Sequence, residues 1–150
     1  MAGTHHGDAG ARDAADQHNL RVIAEHGWMV QSVFPARGGN GAPFAYTVGL
    51  TAAGLPELIV CGLPADIAGH LLNTAAHRSL GAELRPGEAL DEIASVPLRV
   101  VDAPTAPVTT AHRLYPDRTV RALQLVWPDL HGHYPGDDRW SLGDAQPVHA

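Results

Sequence analysis

The chain has 150 residues, 45% of them hydrophobic and 17% charged, with a formal charge of −6; this is enough apolar material for one domain with its own core, and it excludes wholesale disorder. All ten basic residues are Arg and they form no run, which excludes the clustered cations of a nucleic-acid-binding surface and any lysine-based catalysis. Cys61 is the single cysteine, so neither an intramolecular disulfide nor a cysteine-based zinc site can form.

Met1 to Arg12 lack periodicity and any hydrophobic segment. A disordered tail is expected over 1–12, ahead of a single domain over 13–150, with no export signal; no later apolar run reaches the roughly 18 residues of a membrane span. A cytoplasmic protein without membrane contact is the expectation. From Asp13 the apolar residues recur at helical spacing up to Gly27, a natural left-handed C-cap, which predicts a helix over 13–26. Trp28 to Phe34 and Phe44 to Leu50 read as two strands, and Arg37-Gly-Gly-Asn-Gly41 between them is a turn signal, so a hairpin is expected. Glu57 to Gly62 reads as a third strand beside it. Pro64 suits the first turn of a helix whose apolar stripe (Ile67, Ala68, Leu71, Leu72, Ala75, Ala76) ends at Gly81. Leu84 to Glu88 reads as a turn, Val96 to Val101 as a strand, 104–115 as a connection with a short helix, and Val120 to Trp127 as a strand. Beyond Pro128 an irregular C-terminal tail is expected. Strands grouped in sequence with few crossover helices predict an α+β fold: a largely antiparallel sheet packed by two or three helices.

Strand alternation sorts the polar residues by face. Gln124 falls with Val120, Ala122 and Val126; Glu57 with Ile59 and Cys61; Tyr46 with Val48; Thr47 with Ala45 and Gly49. A Gln among aliphatic side chains must be hydrogen-bonded, and a buried Glu57 close to Tyr46, Thr47 and Gln124 could act as a general base. The plainer reading of Glu57, after Pro56 at the start of its strand, is a carboxylate paired with an Arg or left half in solvent. Asp129, His131 and His133 stand at alternate positions, so in an extended segment all three project to one side, where two imidazoles and a carboxylate could bind a divalent transition metal; without metal, Asp129 could orient either imidazole as an acid/base pair. A solvated loop is the plainer reading there too. His70, Asn73 and His77 share a helix face nearly opposite the apolar stripe and read as its wet side. Cys61, in an apolar strand, reads as a small buried hydrophobe. No nucleophile elbow, phosphate loop, zinc-protease helix motif or dinucleotide fingerprint is present.

Together, His26-Gly-Trp28, Phe44-Ala-Tyr-Thr-Val-Gly-Leu50, Gly54-Leu-Pro-Glu-Leu58, Leu71-Leu-Asn73, Gly87, Leu123-Gln-Leu-Val-Trp-Pro-Asp129 and Gln146-Pro147 resemble a bacterial family known as domain of unknown function 4262, over roughly residues 20 to 147. The resemblance implies that Tyr46, Thr47, Glu57, Gln124, Trp127 and Asp129 belong to the family pattern. It assigns no reaction, and it places His131 and His133 outside that pattern. The order of elements is also similar to Suppressor-of-fused-like domains, which bind proteins; a fold alone transfers no function.

The expected function is small-molecule binding with cofactor-independent acid/base activity. Tyr46, Glu57, Asp129 and His133 are the candidate catalytic groups, and Thr47, Gln124 and Trp127 the candidate substrate-binding ones, converging in one concave site. The expected partner is a small molecule or another protein, and a homo-oligomer is left open. One alternative is an interaction module of adaptor or immunity type, using exposed aromatic residues among Trp28, Trp127, Tyr134 and Trp140. The other is a metal-dependent enzyme built on Asp129, His131 and His133.

Overall fold

A six-stranded sheet in the order β1-β2-β3-β6-β5-β4 organises the chain, seen in a computed structural model that describes residues 2–36, 39 and 41–150, with side chains from residue 10 onward. The elements in chain order are α1 (Ala2–His26), β1 (Met29–Val33), β2 (Phe44–Val48), a 3-10 turn (Leu50–Ala53), β3 (Glu57–Cys61), α2 (Ala65–Gly81), β4 (Ala89–Leu90), β5 (Leu98–Asp102), α3 (Thr109–Leu114) and β6 (Ala122–Val126). No regular helix or strand follows Val126. Every neighbouring pair is antiparallel except β3 and β6, which run parallel with Glu57 opposite Ala122 and Ile59 opposite Gln124. The architecture is therefore the α+β one expected from the sequence. Among the described residues no helix is long and apolar enough to cross a membrane.

The two faces of the sheet carry separate cores, as side-chain alternation requires. On one, Ala45, Leu58, Val60, Val100, Leu123 and Leu125 pack against Ala68, Leu71, Leu72, Ala75 and Ala76 of α2. On the other, Tyr46, Val48, Ile59, Cys61 and Ala122 meet Ile23 of α1 and Ala111 of α3. The stripe read from α2 is thus its buried face. Gly27 ends α1 with φ +94, its N–H donating to Ile23 O at 2.7 Å, in keeping with the expected cap.

Three features differ from the sequence reading. The first helix begins at Ala2 rather than near residue 13. Residues 10–15 are solvent-exposed, so this turn of helix is held by its own backbone bonds and leaves no packing periodicity for a sequence pattern to detect; its glycines cost about 1 kcal/mol each without breaking it. Met1 and the side chains of the first nine residues lie outside the described residues, and so does most of the Arg37–Gly41 turn. The stretch after Leu84 is more than a turn: Ala89 and Leu90 form the two-residue edge strand β4 on β5, too short for a period of two to show. Finally, the sheet holds one parallel joint, set by the crossover from β3 through α2 and β5 to β6.

Candidate functional site

Glu57 opens β3 and is fully buried. Its carboxylate accepts five hydrogen bonds: from the Thr47 hydroxyl (2.8 Å), the N–H groups of Gly49 (3.2 Å), Leu50 (3.2 Å) and Thr51 (2.8 Å), and the Thr51 hydroxyl. Three of these donors are backbone groups where the chain turns into the 3-10 turn, which has no side-chain cap of its own, so Glu57 satisfies the orphan N–H groups that such a turn leaves. Thr47 completes the arrangement, its Oγ1 accepting from Leu58 N–H at 2.9 Å, beyond the last paired residues of the β2–β3 ladder. Tyr115 faces this charge; burial, and then the negative charge of Glu57, push its hydroxyl pKa up. Tyr46 lies in the core with Ile59 and Cys61, and its hydroxyl accepts from Thr110 N–H at 3.1 Å in the first turn of α3. Thr47 and Glu57 therefore meet as expected, but every lone pair of Glu57 that could take a proton from a substrate is already committed to the fold.

Gln124 and Trp127 serve the C-terminal segment. The Gln124 amide donates to Pro147 O at 2.7 Å and accepts from His149 N–H at 2.9 Å. Gln146 returns the pattern, accepting from Trp127 N–H at 2.9 Å and donating to Trp127 O at 2.8 Å. The indole of Trp127 donates to Cys61 O at 2.7 Å. This strap crosses so close to β3 that a Cβ on Gly62 would run into the carbonyl oxygen of Ala145. The buried Gln among aliphatic side chains is thus hydrogen-bonded, as its position demands, with backbone as its partner rather than ligand. Cys61 beneath it is buried, and desolvation pushes its thiol to about 11, in line with a packing role.

Asp129 ties the loop after β6. Its carboxylate accepts from the N–H groups of His131 and His133, both at 2.9 Å, and from the hydroxyl (2.8 Å) and N–H (3.1 Å) of Ser141. Burial raises its pKa, but the hydrogen bonds of His133, Ser141 and His131 outweigh that and bring it to about 2. The extended segment that a metal site needs is absent, because Gly132 takes φ +81 and its N–H closes a turn onto Asp129 O at 3.1 Å. His133 Nδ1 stays 3.7 Å from Asp129 and the two imidazole centroids lie 6.4 Å apart. Among the described residues no three His, Cys, Asp or Glu side chains are placed to hold a metal ion. Tyr46, Glu57, Gln124 and Asp129 each bond to different partners among the described residues.

Trp28 and Tyr134 are buried. Tyr134 donates to Pro97 O at 2.6 Å beneath the Arg99 guanidinium, and the half-buried Trp127 packs on Trp140 with centroids 5.7 Å apart.

A concavity of about 700 Å³ lies elsewhere, between α1 and α2 beside the edge strand β1. Helix α1 brings His18, Asn19, Val22 and His26 to it, and α2 brings Asn73 and His77. Trp28, Met29 and Val30 form its floor. The Trp28 indole donates to Asn73 Oδ1 at 2.9 Å, and the His77 ring meets the Trp28 ring edge-on at 4.7 Å. Helix α1 is held over the sheet by Ile23 and by Arg113, whose guanidinium grips both oxygens of Asp16 at 2.7 to 3.2 Å. Those hydrogen bonds draw the Asp16 carboxyl below its ordinary range. Asn73 and His77 are solvent-exposed, as their helix face predicts, yet they also fix the cleft's one large aromatic residue.

A family model described as a domain of unknown function, DUF4262, matches residues 22–141. The chain belongs to the DUF4262 family. No curated protein and no solved structure matches it. The DUF4262 match takes in the Glu57 and Asp129 knots and all of the cleft residues except His18 and Asn19, which precede it, whereas the strap follows it. Sequence reading missed the cleft because its walls are far apart in the chain. The signal within reach was that His26-Gly-Trp28 and Asn73, two segments that carry the DUF4262 likeness, each hold polar groups with no partner in their own element.

Proposed function

We propose that this DUF4262 domain binds a small molecule in the cleft between α1 and α2, and that the imidazoles of His18, His26 and His77 supply any acid/base chemistry carried out there. The observation behind this reading is the cleft itself: about 700 Å³, within the size range of small-molecule sites and with a few polar groups converging on an aromatic floor. Glu57 and Asp129, the carboxylates first in line as catalytic groups, have their oxygens engaged by backbone and hydroxyl donors, which supports moving the chemistry to the imidazoles. The test is a screen of small aromatic fragments against the full chain, read on the indole N–H resonances of Trp28, Trp127 and Trp140. Saturable shifts confined to Trp28, lost in His77→Ala, are expected. A screen in which no fragment moves Trp28 would end this reading.

A protein-binding role has one observation in its favour. The edge strand β1 runs into Phe34, which is 65% exposed, and an unpaired edge beside an apolar side chain can take a partner strand. Sedimentation of wild type against Phe34→Ser checks it: equal monomeric profiles across concentration count against a self-associating edge.

A further inference from the structure

From the chemistry of its walls we infer that the cleft takes an anion, a small carboxylate or phosphate carried on a flat apolar body; this rests on the small-molecule reading above. The nine lining residues include three His and two Asn but no Asp or Glu, in a chain that has 16 acidic residues. Among the described residues the only carboxylate paired with a lining imidazole is Glu25, 3.8 Å from His26 Nε2 on the exposed side of α1.

Asn73 adds a direction to this. Its Oδ1 is taken by the Trp28 indole N–H, and a carboxamide whose oxygen is engaged has only its NH2 left to offer. Asn73 Nδ2 makes no hydrogen bond among the described residues, so the cleft meets a ligand with a donor at a fixed place beside the Trp28 ring. Imidazoles of either charge state also carry an N–H donor. Donors whose one neighbouring carboxylate, Glu25, lies on the exposed side of α1 favour a group rich in acceptors, and a negative charge on the acceptor strengthens each such bond. The apolar remainder of the ligand has Val22, Met29 and Val30 to cover, and Trp28 sets the flat shape.

The experiment compares three probes of one shape, benzoate, benzyl alcohol and benzylamine, titrated into the full chain and followed on the Trp28 indole resonance. Benzoate is expected to bind tightest, by on the order of tenfold over the other two. Asn73→Asp keeps an acceptor for the Trp28 N–H and turns the free end into a carboxylate; it is expected to lower benzoate affinity about tenfold and raise that of benzylamine. His77→Gln, which keeps a side-chain N–H donor, is expected to retain the order of the probes. Binding of benzyl alcohol or benzylamine as tightly as benzoate overturns the anion inference and leaves the small-molecule reading standing. No movement of Trp28 with any probe overturns both.

Discussion

A fully buried carboxylate with five donors around it is bound to its geometry, and Glu57 shows how much rests on a single atom. In Glu57→Gln one acceptor oxygen becomes an NH2 facing donors from Thr51 and Gly49, so buried groups lose partners while the volume is unchanged. The expected cost is on the order of 3 kcal/mol, seen as a lower urea midpoint at unchanged slope; a loss within experimental error would mean that the knot contributes little. Asp129 can be probed through pH. Its folded pKa, about 2, lies below the ordinary aspartate value of roughly 3.9, so the unfolded chain binds the proton first. The stability it contributes is therefore fully present above about pH 4 and disappears as pH falls through about 2. Urea midpoints between pH 6 and pH 2 should show this acid limb in the wild type and a shallower one in Asp129→Asn. How well the sequence foretells such residues depends on the kind of fact in question. Facing was legible for Glu57 and Gln124, because alternation in a strand fixes it, whereas the full burial of Glu57 at the start of its strand was not. Partners were not, because a backbone N–H of a turn or strap leaves no mark in the sequence.

At the scale of elements, the strap is held by two amides acting in opposite directions, Gln124 upon the strap and Gln146 upon β6. Removing either leaves backbone groups without partners: Gln146→Ala is expected to cost about 1 to 2 kcal/mol and to make the segment after Asp144 more open to proteolysis. Gly62→Ala tests the same contact from below. With φ +82 and the Ala145 carbonyl in the way of a Cβ, it is expected to lower Tm by several degrees through strain and a lifted strap; an unchanged Tm would show that the segment shifts freely. The strands and α2 were legible because each has a period long enough to read. The two-residue β4 and the stretch of α1 over residues 10–15 were not, since the one is shorter than its period and the other is solvent-exposed.

Across the whole molecule, the cleft is the feature that no local pattern could show. It exists because α1 and α2 lie on opposite faces of one sheet and both overhang the β1 edge, where Trp28 closes the gap between them. His77 reads as wet helix surface, and it is solvent-exposed, as are His18 and His26; only the strand order turns that surface into walls.

The single parallel joint of the sheet also bears on how the chain reaches its native state. β1, β2 and β3 form one antiparallel block and β4, β5 and β6 another, each built mainly from near neighbours in sequence. They are fastened where β3 meets β6, and the bond closing that seam, Trp127 to Cys61, spans 66 residues. Long-range closure is the slow part of assembly. Refolding should therefore pass through two preformed blocks whose docking sets the rate. In pulse-labelled hydrogen exchange the Glu57 amide, which crosses the seam to Arg121 O at 2.9 Å, should gain protection later than the amides of the β1–β2 ladder, and simultaneous protection would show that the two halves do not form first.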